Sequence, residues 1–206
     1  MSLSPVDLCN LALSRAGGHR ITQIAALGEA TNEARHCAVK YPQARRVALR
    51  NHPWRFASRR AILAPTGMAP TGEGSGGFAY RYQYPGDCLQ IREIQAHGVP
   101  RQGGDSALPF ETELAADNTR AVVCDIPAAV LVYTMDIDDP NAWDSLFYDA
   151  LAWQLGAELA LTLGNDVHKA KFLEERARIA WDDARTADAR EEQERRPVGG
   201  YVQARG

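Results

Sequence analysis

The sequence predicts a mainly helical protein, a helical bundle interrupted by a small antiparallel β-rich insertion, so that the fold is α+β overall. Apolar residues recur at spacings of three and four in residues 1–64 and 140–189, which is the periodicity of a buried helix face. Residues 65–139 instead hold short runs rich in β-branched and aromatic residues between glycines and prolines. We therefore assign the first two ranges to the bundle, 65–139 to the insertion, and 190–206 to an extended C-terminal tail.

The first helix is predicted to begin at Ser4-Pro5. A serine can cap the free backbone amides of a helix, and proline has the backbone angle that the first helical position requires. Asp7 is favourable near the positive end of the helix. Gly17-Gly18 is expected to end it.

The second helix follows Glu29 and ends at His52-Pro53, because the residue before a proline avoids helical geometry. Its apolar stripe consists of Ala30, Ala34, Cys37, Tyr41, Ala44 and Ala48. Pro42 lies inside this stripe, where a proline removes a backbone hydrogen bond and costs about 3 kcal/mol. We expect a kink or break at 39–41.

The insertion opens with a glycine-rich loop, 67–77, which has almost no side chain that could join a core and no phosphate-loop motif. Five strands of one small antiparallel sheet are predicted after it, at 80–84, 89–94, 110–114, 120–125 and 129–134.

Helical patterning returns at Asp139-Pro140 and continues to Gly164, which predicts a central buried helix. Asn165 can cap a last long helix. The stripe of that helix is made of small residues and one leucine, namely Ala170, Leu173, Ala177, Ala180, Ala184 and Ala187. Small residues allow helices to approach closely.

Composition supports a packed core, since 45% of the residues are apolar and 24% are charged. The most apolar stretch, 150–163, is shorter than the roughly 20 residues that a bilayer-spanning helix needs, and it contains Gln154 and Glu158. No secretory signal is recognisable, so we expect a cytoplasmic origin and no membrane partner.

No motif indicates catalysis, a metal or a cofactor, and we expect a non-enzymatic protein. The four cysteines lie far apart, and the five histidines show no ligand spacing. Buried reduced thiols and histidines at the surface or at caps are the favoured interpretations. Asp136, Asp138 and Asp139 lack the glycine and glutamate of a calcium loop, so capping and turn formation explain them better.

The most informative polar feature is a set of six arginines interleaved with His52, Trp54 and Phe56. We call it the arginine cluster, and it consists of Arg45, Arg46, Arg50, Arg55, Arg59 and Arg60. Such a cluster suits phosphate or carboxylate recognition, although it can also be an ordinary solvated face. Because the net charge is −3, an acidic protein partner is favoured over nucleic acid. Trp54 and Phe56 are expected to be core residues.

The charge changes sign along the chain. Residues 1–64 contain ten basic and three acidic side chains, whereas 65–139 contain four basic and eleven acidic ones. The acidic partner could therefore be a second copy, joined head to tail through these segments, and contacts of this type form rings when the rotation closes.

Several motifs resemble those of the podovirus tail tubular protein A family. They are SPVDLCNLALSRAG, ITQI, ALRNHPWRFASRRAIL, YRYQYPGDCLQIREI and WDSLFYDALAWQLGAELAL, and together they touch most of residues 4–185. The block HPWRFA is the most specific of them.

The resemblance implies a structural virion protein, a head-to-tail adaptor of which about twelve copies form a ring between the portal and the tail nozzle. DNA would pass through the ring without base-specific contact, and the protein would occupy the host cytoplasm before assembly. By analogy, the C-terminal tail would bind the portal, with Arg190, Arg195, Arg196, Tyr201 and Val202 as anchors. The arginine cluster would then be a subunit interface or a basic patch.

Two other functions compete with this expectation. The chain could be a different phage head-tail connector or completion protein, although the sizeable β insertion favours the tubular adaptor. It could also be a helical nucleic-acid-binding protein that uses the arginine cluster, in which case its binding would weaken steeply with salt.

Overall fold

Helices and strands alternate in blocks along the chain in the computed structural model, which describes residues 3–23, 31–66, 77–98, 108–114 and 118–191. The described helices are α1 (Pro5–Ala16), α2 (Asn32–Asn51), α3 (Ser145–Gly164) and α4 (Val167–Arg190), with a short 3-10 helix at Pro140–Ala142. The described strands are β1 (Ser58–Ile62), β2 (Tyr80–Gln83), β3 (Cys88–Ala96), β4 (Phe110–Leu114), β5 (Arg120–Cys124) and β6 (Ala129–Met135). Of the described residues, 49% are helical and 22% are in strands, so the fold is mixed α+β and not a purely helical bundle.

The strands form two small antiparallel sheets, with the orders β1-β6-β3 and β2-β5-β4. The prediction of a single sheet is therefore wrong, although all five predicted strands are present. The strand that the sequence did not reveal is β1, which lies within the segment assigned to the helical bundle. Its sequence SRRAI is mostly exposed and lacks the alternation of apolar and polar residues that identifies a half-buried strand.

Helix α2 passes through Pro42 without interruption, which contradicts the predicted break before this residue. The side chain of Pro42 is exposed, whereas the side chains of Tyr41 and Ala44 on the same helix are buried. Tertiary packing of the apolar stripe therefore offsets the local cost of the proline.

The caps of the last two helices differ from the predicted ones. Asp139 caps only the 3-10 helix, whereas Asp144 caps α3 by accepting hydrogen bonds from the amides of Leu146 and Phe147. Asn165 ends α3 in a left-handed conformation, with φ 46°, and Asp166 caps α4 through the amide of Lys169. The predicted start of α1 is confirmed, since Ser4 and Asp7 form a reciprocal capping box.

The chain divides into two compact units. The first, which we call the helical unit, contains the described residues within Met1–Arg59, Asp87–Ile91 and Tyr133–Ala189. The second, the sheet unit, contains those within Arg60–Gly86, Arg92–Val132 and Arg190–Gly206.

Helix α3 is the centre of the helical unit and packs against both α1 and α2, as predicted. Gly156 allows a close approach there, because a Cβ atom at this position would lie 3.1 Å from the carbonyl oxygen of Ala12. An aromatic cluster closes the core around Phe147, whose ring lies 5.1 Å from that of Trp54 and 5.0 Å from that of Phe56. The predicted core position is confirmed for Trp54, whereas Phe56 is half-buried and packs against the core.

The sheet unit is built around β5, which is hydrogen-bonded on both sides. Val122 lies opposite Tyr82 of β2 and Thr112 of β4, and it is fully buried. The side chains of this strand after Arg120 are all buried, which explains why they are apolar. Arg81 and Glu113 form an ion pair across this sheet.

Candidate functional site

Two arginines of the arginine cluster bind one carboxylate. Arg45 and Arg46 follow each other on α2, and their guanidinium nitrogens lie 2.7 and 2.8 Å from the two oxygens of Asp136, which comes directly after β6. Arg45 is the buried member, with 7% of its side chain exposed, whereas 61% of the side chain of Arg46 is exposed. The carboxylate therefore neutralises a cation that would otherwise be buried without a counter-charge.

Some buried polar atoms of Arg45 and of its neighbour Tyr41 make no hydrogen bond within the described structure. Among the described residues, its Nε and Nη1 atoms and the hydroxyl of Tyr41 have no hydrogen-bond partner. Burial raises the pKa of Tyr41 to about 12, an effect that the positive charge of Arg45 opposes. A buried guanidinium with two unused donors depends strongly on its single carboxylate.

A second acidic residue, Asp87, binds the arginine at the start of β1. The Nη1 atom of Arg59 lies 2.7 Å from one carboxylate oxygen of Asp87, and the hydroxyl of Tyr133 donates to the other oxygen at 2.9 Å. Burial, together with this hydrogen bond, raises the pKa of Tyr133 to about 12. The backbone carbonyl of Asp87 also accepts the amide of Asp136 at 2.8 Å, so the two acidic residues are held beside each other.

A third acidic residue, Asp188, joins the end of α4 to the turn after α2. Its carboxylate lies 3.0 Å from Nε2 of His52 and accepts the backbone amide of Arg55 at 2.9 Å. Its backbone carbonyl accepts Nε of Arg55 at 2.8 Å. His52 and Arg55 of the HPWRFA block thus hold α4, while Trp54 lies in the core and Phe56 packs against it.

The remaining two arginines lie at the surface. Arg50 donates from Nη1 to the carbonyl oxygen of Leu89 at 2.9 Å, and Arg60 is exposed on β1. The arginine cluster is therefore not one open basic patch, because Arg45, Arg46, Arg55 and Arg59 all contact acidic residues of the same chain. Its use as an interface with another protein stays a prediction.

Arg190 is the one predicted portal-binding residue that the structure describes. It is the last residue of α4, and its side chain is exposed. The other four, Arg195, Arg196, Tyr201 and Val202, lie outside the described residues, as does most of the glycine-rich loop 67–77.

Two neighbouring grooves, which the sequence did not reveal, flank Gln154 and Glu158 of α3. The α2–α3 groove has a volume of about 580 Å³ and is lined by His36, Val39, Lys40, Gln43, Ala44 and Val47 of α2. The α3–α4 groove has a volume of about 380 Å³ and is lined by Ala157 of α3 and by Glu174, Ala177, Arg178, Trp181 and Arg185 of α4. Helical periodicity identifies the buried face of each helix but not which exposed residues from two helices border a groove.

The acidic residues and cysteines that could bind a metal have structural roles in the described part of the chain. Within the described ranges, no three histidine, cysteine, aspartate or glutamate residues are grouped as a metal would require. Of the acidic triplet, Asp136 binds arginines and Asp139 caps a helical turn. The four cysteines are buried, and none of them forms a disulfide. Of the helices in the described part of the chain, none is long and apolar enough to span a membrane.

Comparison with known proteins adds no family assignment. No protein-family model matches the chain, and no curated protein is significantly similar to it.

Proposed function

We propose that this protein is a structural head-to-tail adaptor of a tailed phage, of which about twelve copies form a ring between the portal and the tail nozzle while DNA passes through. The observation that carries the proposal is the role of the HPWRFA block, the most specific motif of the resemblance. Its histidine and arginine hold Asp188 of α4, and its aromatic residues pack on Phe147 of α3. The motif thus joins the helices to one another, and an adaptor subunit needs such a rigid helical body.

The contacts of the arginine cluster support a structural function over a nucleic-acid-binding one. A protein that holds DNA by its phosphates needs cations that are free to approach them. Here Asp136, Asp87 and Asp188 each neutralise or bind arginines of the cluster. DNA in the channel would therefore meet few available cations of this cluster, as non-specific passage requires.

The portal is the partner that tests the proposal. We expect sedimentation of the purified chain, mixed with the portal ring of the same genome, to reveal one complex with many copies of the chain per portal. Absence of any association across low and high salt would contradict the adaptor function. Salt-sensitive binding to duplex DNA under the same conditions would favour the nucleic-acid alternative.

The assignment of the C-terminal tail needs a separate variant. A chain truncated after Ala189 removes Arg190 and all other proposed anchors, and we expect it to lose portal binding while its helical unit still folds. The matched control is Arg178→Ala, because Arg178 is an exposed arginine of α4 that pairs with Glu175 of the same helix. Portal binding by the truncated chain at full strength would refute the tail assignment but not the adaptor function.

A different head-tail connector remains the second candidate. It has the same chemistry and differs in its position in the particle, so a binary binding assay cannot separate the two. Electron microscopy of the particle assembled with and without this chain separates them, because a tubular adaptor adds a ring between the portal and the nozzle.

A further inference from the structure

We propose that Cys9 and Cys37 form a site of reversible oxidation, at which a hydroperoxide joins the two residues in a disulfide that ties α1 to α2. The inference is independent of the adaptor function. It rests on a contact between two thiols that belong to different helices of the helical unit.

The two cysteines are far apart in the sequence and meet in the core. Cys9 lies on α1 and Cys37 on α2, and neither has any exposed surface. Their thiols are hydrogen-bonded to each other. A disulfide requires two cysteines that lie close together and whose side chains point toward each other. The hydrogen bond between the thiols shows that this pair has both properties.

The hydrogen bond makes the two sulfur atoms chemically unequal. It lowers the pKa of Cys37, because the Cys9 thiol donates to the Cys37 sulfur and stabilises its thiolate. The same hydrogen bond, together with burial, raises the pKa of Cys9. The thiolate is the form of cysteine that oxidants attack, and a second thiol beside it resolves the product. Cys37 is therefore the sulfur that is oxidised first, and Cys9 is the resolving thiol.

The reaction has two steps and needs one hydroperoxide. The Cys37 sulfur attacks one oxygen of hydrogen peroxide, the O–O bond breaks, and a sulfenic acid and one water form. The Cys9 sulfur then attacks the Cys37 sulfur, the S–O bond breaks, and the hydroxide that leaves takes the Cys9 proton to form a second water. The two thiols lose two electrons and two protons in total, and the peroxide accepts them.

Cys124 provides a contrasting environment on β5 of the sheet unit. Its thiol is fully buried and donates to the carbonyl oxygen of Ile126 at 3.8 Å. Burial raises its pKa, which keeps the reactive thiolate scarce. This cysteine therefore has no comparable activation, and it is the matched control for the pair.

Burial makes the reaction depend on local opening of the helical unit. Cys9 and Cys37 are fully enclosed, so an oxidant reaches them only while α1 and α2 are transiently separated. Hydrogen peroxide is little larger than water and needs only a small opening. The pair would stay reduced where glutathione and thioredoxin reduce thiols, and it would close in oxidising surroundings.

Peptide mapping after peroxide treatment tests the pairing. The native full chain is treated with hydrogen peroxide and then unfolded in an alkylating reagent, which caps every remaining thiol. Trypsin places Cys9 in peptide 1–15 and Cys37 in peptide 36–40. We expect mass spectrometry to show these two peptides joined, with the loss of two hydrogen atoms, and to show Cys124 alkylated.

The treatment is repeated in urea below the unfolding transition, which increases local opening and removes access as a limit. We expect the cross-link to form faster there. Absence of the cross-link under both conditions would overturn the proposal. So would oxidation of the two cysteines to separate sulfinic acids, or pairing of either one with another cysteine.

Thermal denaturation measures what the cross-link does to the fold. A disulfide restricts the unfolded chain, so the oxidised protein should melt roughly 5–10 °C above the reduced protein. Dithiothreitol should abolish this shift, since it reduces a disulfide but leaves methionine oxidation unchanged.

Two variants assign the shift to the pair. Cys37→Ala should lose the dithiothreitol-reversible shift, and Cys124→Ala should retain it. Each variant is compared with its own reduced form, so that any destabilisation by the substitution itself does not enter the result. A shift that persists in Cys37→Ala would show that the proposed pair is wrong. If Cys37→Ala does not fold, the peptide map of the wild-type chain decides.

Discussion

At the residue scale, Asp136 is the acidic residue whose substitution we expect to lower the free energy of unfolding most. It is the carboxylate that neutralises the buried guanidinium of Arg45, whose Nε and Nη1 atoms have no other partner among the described residues. It also binds the exposed Arg46 at 2.8 Å. Removing one partner of a buried ion pair leaves the other charge in a medium that solvates it poorly.

We expect Asp136→Ala to lower the free energy of unfolding by about 3 kcal/mol, because it leaves Arg45 buried without a counter-charge. Arg46→Ala is the matched control, since it removes a contact to the same carboxylate at an exposed position and should cost less than about 1 kcal/mol. Urea denaturation followed by circular dichroism measures both. Equal effects of the two substitutions on the free energy of unfolding would show that the buried Arg45–Asp136 pair stabilises the fold no more than the exposed contact of Arg46 does.

At the scale of the element, α2 contains an interior proline that is unfavourable in a helix, and the packing of the helix offsets its cost. Pro42 lies in the interior of this 20-residue helix and has an exposed side chain. The helix continues because its buried face, which includes Tyr41, Ala44 and Leu49, packs against the rest of the helical unit. The helix is therefore maintained by tertiary contacts that offset an intrinsic cost.

Pro42→Ala should stabilise the protein by about 1–3 kcal/mol, because alanine restores a backbone donor and removes the clash of the proline ring with the preceding turn. Gln43→Ala, at a neighbouring exposed position of the same helix, should change the unfolding free energy by less than about 0.5 kcal/mol. Thermal and urea denaturation of the three chains checks this. A destabilising effect of Pro42→Ala would mean that the proline has a positive role in the native packing.

At the scale of the whole molecule, part of the charge asymmetry between residues 1–64 and 65–139 is satisfied inside the chain. Arg45 and Arg46 bind Asp136, and Arg59 binds Asp87. Charges that are paired within the chain contribute less to an interface between copies, so the simple head-to-tail attraction between these two segments is weaker than the sequence suggests.

The same pairing predicts weak binding to duplex DNA. Because four of the six arginines of the arginine cluster contact acidic residues of the chain, we expect the plot of log affinity against log salt to have a slope of about −2 or shallower. Fluorescence anisotropy with a labelled duplex between low and physiological salt measures this slope. A much steeper slope would favour the nucleic-acid-binding alternative over the adaptor.

Local signals in the sequence identified most of the elements. Five of the six strands and all four helices are at or near their predicted positions, because apolar periodicity and capping residues act over a few neighbours. The exceptions have physical reasons. Strand β1 lacks alternation, and α3 begins at Ser145 because Asp144, not Asp139, caps it.

The sequence predicted which arginines and aromatic residues belong to the candidate site, but not which residues they contact. Interleaved arginines and aromatics identified the HPWRFA region, and Trp54 is in the core as expected, with Phe56 half-buried against it. The sequence could not show that Asp136 and Asp188, which lie 91 and 133 residues from Arg45 and Arg55, bind those arginines. Long-range ion pairs have no fixed sequence spacing.

The sequence by itself determined where the four described helices and five of the six described strands lie, the burial of Trp54 after α2, and the resemblance on which the proposed function rests. Only the tertiary structure decided which arginines are neutralised, that α2 continues through Pro42, and where the grooves beside α3 lie. The physical reason is range: propensity and periodicity act between neighbours along the chain, whereas charge pairing, groove formation and the tolerance of an interior proline depend on residues that folding brings together.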